Sequence, residues 1–336
     1  MKHDTIQLAH GSGGRLSAEL IETFFLPFFD NAILNKLDDQ AVLKLPAGRV
    51  AFTTDAFVVA PLFFPGGNIG DLAVNGTVND ICMSGATPLY LSASFIIEEG
   101  FSFETLRQIL FAMKIASERA GVSIVTGDTK VVNKGCCDGM FITTSGIGTV
   151  ADDLDISASN IRVGDAIILS GSVADHGMAV MTSRENLSIQ GNMESDTASL
   201  NGLVRAMLKV SRDIHALRDP TRGGVATTLN EFAKASRVGI EIVEELVPLK
   251  PQVRGACEML GIDPLYVANE GKLIGAVPAD CAKSMVDEMR RTAEGKETVV
   301  IGRVVADHPG LVTVKTGLGV NRILDMPLGE QLPRIC

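Results

Sequence analysis

Gly70-Asp-Leu-Ala-Val-Asn-Gly-Thr-Val-Asn-Asp-Ile-Cys-Met-Ser-Gly-Ala86, followed by Leu89-Tyr-Leu-Ser-Ala-Ser-Phe-Ile-Ile97, decides the fold of this chain. The first segment reads as a helix rich in small residues, able to lie close against its neighbours. The second reads as a strand. After it, Leu106, Ile109, Leu110, Met113, Ala116 and Ala120 keep helical spacing across Phe103–Ala120. Short β runs at Ser123–Val125 and Met140–Ile147 close this half. Upstream, a helical pattern begins after Gly14 and is interrupted near Pro27, which removes an amide donor. Two strand-like runs follow, Ala41–Leu45 and Val50–Thr54, joined by the turn Pro46-Ala-Gly-Arg49.

A composition shift at Ala151-Asp-Asp-Leu-Asp155 marks a boundary, and the 336 residues are about two domains long. The second half opens on the apolar strand Asp165-Ala-Ile-Ile-Leu-Ser170. Helices are expected at about 197–215, 223–236 and 279–292, and strands at Gly239–Val243, Lys272–Val277, Val299–Arg303 and Leu311–Lys315. Neither half alternates strictly as βαβ, so the fold class is α+β with two α/β domains, residues 1–155 and 156–323. Residues 324–336 form a tail in which Pro327 and Pro333 oppose helix and sheet.

Composition narrows the function. Hydrophobic residues at 46% and charged residues at 21% fit a well-buried globular protein. A net charge of −10 and the absence of tryptophan argue against a nucleic-acid backbone as partner. No apolar run approaches the ~20 residues that cross a bilayer, and the first residues have no signal-peptide core. The expectation is a cytoplasmic protein with reduced thiols. Six cysteines stand at 82, 136, 137, 257, 281 and 336, without the paired spacing of a zinc site. Cys136 and Cys137 are read as structural.

Four features could carry chemistry. His10-Gly-Ser-Gly-Gly14 and Pro65-Gly-Gly-Asn-Ile-Gly70 each precede a helix; such loops bring backbone amides against a phosphate, or simply make a tight connection. Aspartates gather at strand ends and helix starts: Asp38, Asp39, Asp55, Asp128 and Asp219, with Asp80 on the small-residue helix beside Asn79 and one turn past Asn75. Any one of them reads equally as a cap or turn residue. Together they supply the hard oxygen ligands needed by Mg²⁺ held between carboxylates and nucleotide phosphates. Gly127-Asp-Thr-Lys130 and Ala268-Asn-Glu-Gly-Lys272 place Lys130 to hold an anion and Glu270 to accept a proton. Finally, Cys336 ends the tail, where a thiol can be carried into a pocket, modified and carried out.

These residues resemble a known family. His10–Gly14, Pro61–Gly70, Gly127–Val132, Asp175-His-Gly177, Asp219-Pro-Thr-Arg-Gly-Gly224, Ala268–Lys272 and Pro333-Arg-Ile-Cys336 are similar to the HypE family, the carbamoyl dehydratases of nickel–iron hydrogenase maturation. The similarity runs from about residue 6 to the end. It implies the PurM-like fold of the aminoimidazole-ribonucleotide synthetase superfamily, whose N-terminal domain forms a barrel with a second subunit, hence a homodimer.

It also implies ATP bound by Gly11, Ser12, Gly13, Gly14, Asp55, Gly66, Gly67, Asn75, Asn79, Gly127, Asp128 and Thr129, with Mg²⁺ on Asp38, Asp39, Asp80 and Asp219. The carbamoyltransferase HypF would load a carbamoyl group onto Cys336. ATP would activate its oxygen, Glu270 would act as base and Lys130 would orient the group. The resulting thiocyanate would pass its cyanide to iron on the HypC–HypD pair. Two rivals remain: a small-molecule kinase or synthetase of the same superfamily, and a non-catalytic scaffold whose tail is a docking peptide.

Overall fold

The structure is a computed structural model that describes residues 4–12, 14–185, 193–329 and 335–336. The first half runs through α1 (Arg15–Leu20), a π-helical turn at Ile21–Phe25, α2 (Leu26–Phe29), β1 (Arg49–Phe57), a small hairpin of β2 (Phe63–Phe64) and β3 (Gly67–Asn68), α3 (Ile69–Cys82), β4 (Thr87–Glu98), α4 (Phe103–Ala120), β5 (Ser123–Val132) and β6 (Met140–Val150). Its sheet has the order β1-β6-β4-β5, antiparallel except for the parallel β4–β5 pair.

α3 holds this half together. An Asn68–Asp71 capping box starts it, and all of its residues except Asp71 and Asp80 are buried. A Cβ at Gly70 would overlap the Ile109 carbonyl of α4, so small residues let the helix sit between α4 and the sheet. Leu91, Phe95, Ile97 and Ile142 form the sheet's buried face against these helices. The opposite face is bare: Phe52 is 71% exposed, and Val50 and Ile96 are exposed with it.

The second half contains β7 (Ala166–Leu169), α5 (Asp175–Arg184), α6 (Asn201–Val210), β8 (Ala216–Arg218), α7 (Gly224–Ser236), β9 (Gly239–Val243), α8 (Pro251–Leu260), β10 (Ile274–Val277), α9 (Ala279–Met289), β11 (Val299–Val305), β12 (Val312–Lys315) and β13 (Asn321–Ile323). Its sheet runs β13-β12-β9-β11-β7-β10-β8, antiparallel except for β12–β9. β7 is buried at every residue, as its apolar run requires. One hydrophobic core spans both halves, joining Ile81 and Leu72 to Leu200, Leu203 and Met207, and it includes Ile335.

Several expectations change in detail. Ala41–Leu45 forms no strand; among the described residues β1 pairs with β6 alone, and the run before it joins no ladder. β5 extends to Val132, so Gly127–Lys130 lies within a strand rather than in a turn, and Asp55 lies inside β1 rather than at its end. The helix expected over 197–215 is confined to Asn201–Val210. α5 and α8 were not anticipated. α5 starts from Ala174 in a left-handed conformation, a strained entry held by an Ala174 N–H to Asn269 Oδ1 hydrogen bond of 2.8 Å.

Candidate active site

Where the two halves meet, Asp55, Asp80, Asp219, Arg222, Glu270 and Cys336 line one hollow of about 50 Å³. Asp55 comes from β1 and accepts a hydrogen bond from Thr77 Oγ1 of α3 at 3.1 Å. Asp80 comes from α3 and accepts from Thr53 Oγ1 of β1 at 2.8 Å, so helix and strand fix each other's carboxylate. Asp219 and Arg222 lie in the connection from β8 to α7. Glu270 lies just before β10, and its N–H donates to Asp196 Oδ1 at 3.1 Å. Its neighbour Asn269 is fully buried and donates Nδ2 to the Pro220 carbonyl at 3.0 Å, tying the Glu270 and Asp219 loops together.

Electrostatics follow from this crowding. Burial, with Asp80 alongside, raises Asp55 from the ordinary carboxylate range to about 6. Burial and Asp80 raise Asp219 to about 7. Burial, then Asp219 and Asp196, push Glu270 well above the ordinary range, and its Oε1 is a buried oxygen without a hydrogen-bond partner. Burial and Glu270 raise the Cys336 thiol to about 12, against the pull of Arg222, whose side chain hydrogen-bonds it. A sulfur so placed stays uncharged and is not an attacking thiolate. Arg222 acts on Asp55, Glu270 and the sulfur alike.

The end of the chain is seated, not merely near. The Val58 N–H donates to the Cys336 carbonyl at 3.1 Å, and Ile335 is buried. The Ile335 carbonyl lies 2.5 Å from Nε2 of the fully buried His176.

A second, larger cavity of about 350 Å³ lies along β5, with Gly11, Asp38, Gly127, Asp128, Thr129 and Lys130 at its rim and apolar walls from Phe25, Phe29, Leu34 and Ile124. Lys130 Nζ stands 3.5 Å from Asp128 Oδ2 there. Gly11 is pressed against Val131, Ser12 Oγ donates to the Ala9 carbonyl at 3.0 Å, and Gly14 sits as the residue before α1. Gly13 lies outside the described residues, as do Pro333 and Arg334.

The anticipated single cleft is thus two cavities within one chain. β1 and β5 are opposite edges of the same sheet, which separates Lys130 and Asp38 from Asp55 and Cys336. Asp39 is exposed next to Asp38, away from Asp80 and Asp219. Gly66, at φ +90°, and Gly67 face the Glu194–Thr197 segment, where a Cβ on Gly66 would come within 2.8 Å of Ser195 N. Asn75 donates to Thr197 Oγ1 at 3.1 Å, and Asn79 to the Ala198 and Glu270 carbonyls at 3.0 and 3.1 Å. All four therefore take part in the packing between the halves.

Among the described residues no three His, Cys, Asp or Glu side chains converge as a ready ligand set. The donor chemistry of Asp55, Asp80 and Asp219 nonetheless fits a divalent cation, since their mutual repulsion is what an added positive charge relieves. Sequence reasoning passed over Arg222, His176 and Asp196. The first two lie in quoted motifs, but only the fold turns them toward Cys336.

A buried-strand-and-helix pair of domains meeting at such a hollow defines a class. The AIR synthase related N-terminal domain profile matches residues 37–150 and the C-terminal domain profile matches residues 162–315. Within that class the chain belongs to the HypE family. It is 54% identical over 332 residues to the carbamoyl dehydratase HypE of Rhizobium leguminosarum bv. viciae, covering 98% of this chain and 95% of that protein. It is similar to a crystal structure of hydrogenase maturation protein HypE in complex with ATP, at a TM-score of 0.95 and 49% identity, covering 99% and 100% of the two chains. A structure of a HypE–HypF complex contains a chain that is 49% identical with a TM-score of 0.81, covering 92% and 99%.

Proposed function

We propose that this protein is an ATP-dependent carbamoyl dehydratase that converts an S-carboxamide on its own Cys336 to a thiocyanate. The observation that carries this reading is the seat of Cys336 itself, in a hollow with Glu270, Arg222 and three aspartates. The carbamoyl oxygen attacks the γ-phosphorus of ATP, the bond to the bridging oxygen breaks, ADP leaves, and one nitrogen proton is released. The carbon–oxygen bond of the resulting S-bound phosphoimidate then breaks. Glu270 takes the remaining nitrogen proton, phosphate departs, and S–C≡N remains on Cys336. Arg222 offsets charge on the transferring oxygen. Mg²⁺ would be held by Asp55, Asp80 and Asp219 with the nucleotide phosphates, and when bound it supplies charge neutralisation there.

In this reading the protein works as a homodimer. Support comes from the bare sheet face around Phe52 and from β1 and β5 as free edges of a four-stranded half-barrel. Closing two such sheets into one barrel sets the β5 edge of one copy beside the β1 edge of the other. Lys130 and the Gly127–Thr129 backbone of one copy then serve Cys336 of its partner. Residues 1–155 are the ATP-binding, dimer-forming unit, residues 156–323 the second domain and residues 324–336 the carrier arm. HypF loads the carbamoyl group, a HypC–HypD pair receives cyanide, and the setting is the cytoplasm. No helix among the described residues is long and apolar enough to cross a membrane.

Phosphate release tests the reading. Carbamoylated wild-type protein should release one phosphate per loaded chain from MgATP in a single burst, and Cys336→Ala none above background. Equal release from both proteins would instead favour a soluble substrate.

A further inference from the structure

The carrier arm ends in contacts that do not involve its sulfur. The Ile335 carbonyl meets His176 Nε2 at 2.5 Å, the Cys336 carbonyl accepts from Val58 N–H at 3.1 Å, and the Ile335 side chain is 4% exposed. A carbonyl can only accept, so Nε2 carries the ring proton. The other side of the ring agrees. Ser195 Oγ accepts from Thr197 N–H at 3.1 Å, which frees its own proton for His176 Nδ1 at 2.8 Å. Burial favours this neutral ring, and the edge-on contact with Phe64, 5.3 Å between centroids, fixes its plane.

The same short segment reaches the base. Asp196, next to Ser195, accepts from the Glu270 N–H through Oδ1 and pairs with Lys272 Nζ at 3.1 Å through Oδ2. One stretch of backbone therefore supports both the ring that holds the arm and the peptide that carries Glu270. Ser195 N–H is itself anchored to the Pro65 carbonyl at 2.8 Å.

We propose that His176, backed by Ser195, is the positioning residue for the carrier arm: it grips the Ile335 carbonyl and so sets the stand-off between the Cys336 sulfur and Glu270. The seat reads main chain and the Ile335 side chain, so thiol, carbamoyl and cyano forms of the arm share it. This rests on the carrier reading above, but the following assay uses neither ATP nor a carbamoyl group. Failure of the seat is thereby distinct from failure of the dehydratase assignment.

The assay is alkylation of the full-length protein by iodoacetamide, followed residue by residue by peptide mass spectrometry. Exposed Cys136 reports reagent activity, and buried Cys82 reports folding. His176→Leu is expected to raise the Cys336 rate about tenfold, equivalent to ~1.4 kcal/mol of lost seating, with Cys82 still protected. His176→Gln, whose amide N–H can donate to the same carbonyl, is expected to return the rate to within about threefold of wild type. A folded His176→Leu protein with wild-type Cys336 reactivity overturns the proposal. If that variant labels at Cys82 as well, protein with His176 intact decides: removing residues 335–336 from it should shift the ring ¹⁵N resonances of His176, and unchanged resonances overturn the proposal.

Discussion

The hollow at Cys336 and the cavity along β5 are built on opposite principles. The hollow at Cys336 is small and charged, with carboxyl groups raised above their ordinary range by burial and by one another. The cavity along β5 is seven times larger by volume, about 350 against 50 Å³, and its walls are phenylalanine, leucine and isoleucine with glycine backbone and Lys130 at the rim. In the proposed function the second would take the purine and ribose, and the first the reacting phosphate and thiocarbamate atoms. In that reading a second copy bridges the two, since β1 and β5 stand at opposite edges of the sheet.

The largest effect should fall on the charged hollow. Glu270→Gln is expected to bind ATP normally and to slow dehydration about 10²–10⁴-fold, the usual worth of a positioned base. Because burial raises Glu270, wild-type dehydration should fall as pH drops through a midpoint well above that of an ordinary glutamate. Single-turnover rates across pH check this, and a pH-independent rate would remove Glu270 as base.

Mixed dimers sharpen the division between the cavities. Lys130→Ala and Cys336→Ala homodimers should both be weak or inactive, yet their heterodimer regains one complete site, about half of the wild-type burst. A site closed within each chain predicts no recovery. Phe52→Asp tests the same bridge by placing charge on the bare sheet face. Sedimentation should show monomers with ATP affinity reduced about tenfold or more, an effect of ~1.4 kcal/mol.

The smallest effect is on stability. Asp219 is raised to about 7 in the fold, so between the ordinary carboxylate range and pH 7 the folded state holds a proton that the unfolded state has lost. Stability from this group therefore declines as pH rises through that window. Asp219→Asn should raise Tm by about 2–4 °C at pH 8 and change it little at pH 4. Equal gains at both values would point to packing rather than charge.

Much of this was legible in the sequence, and the exceptions have physical causes. α4 occupies the expected Phe103–Ala120, where an apolar stripe of helical period meets a Ser102 cap and a Gly121 stop. β5 was read short because its later residues belong to a free edge, where Gly127, Asp128 and Lys130 face solvent and the apolar signal fades. Glu270 and Cys336 were singled out from their motifs, and the fold sets them in one hollow. The resemblance groups Asp38 and Asp39 with Asp80 and Asp219 and sets Asp55 with the nucleotide. The fold puts Asp55 beside Asp80 and Asp219, and Asp38 along β5, because a carboxylate at a strand end looks the same whichever edge of the sheet it faces. Asn75 and Asn79 read as polar ligands on a small-residue helix. In the fold their amides join the halves, a long-range pairing that no local pattern records.

The central claim is that Cys336 carries the group from which water is removed. Intact-protein and C-terminal-peptide mass spectrometry of carbamoylated protein, before and after MgATP, reads it directly. In wild type the peptide bearing Cys336 should lose one water, and Cys336→Ala should show neither loading nor loss. A nitrile product formed by the alanine variant, or a wild-type peptide that consumes ATP and keeps its water, would contradict it.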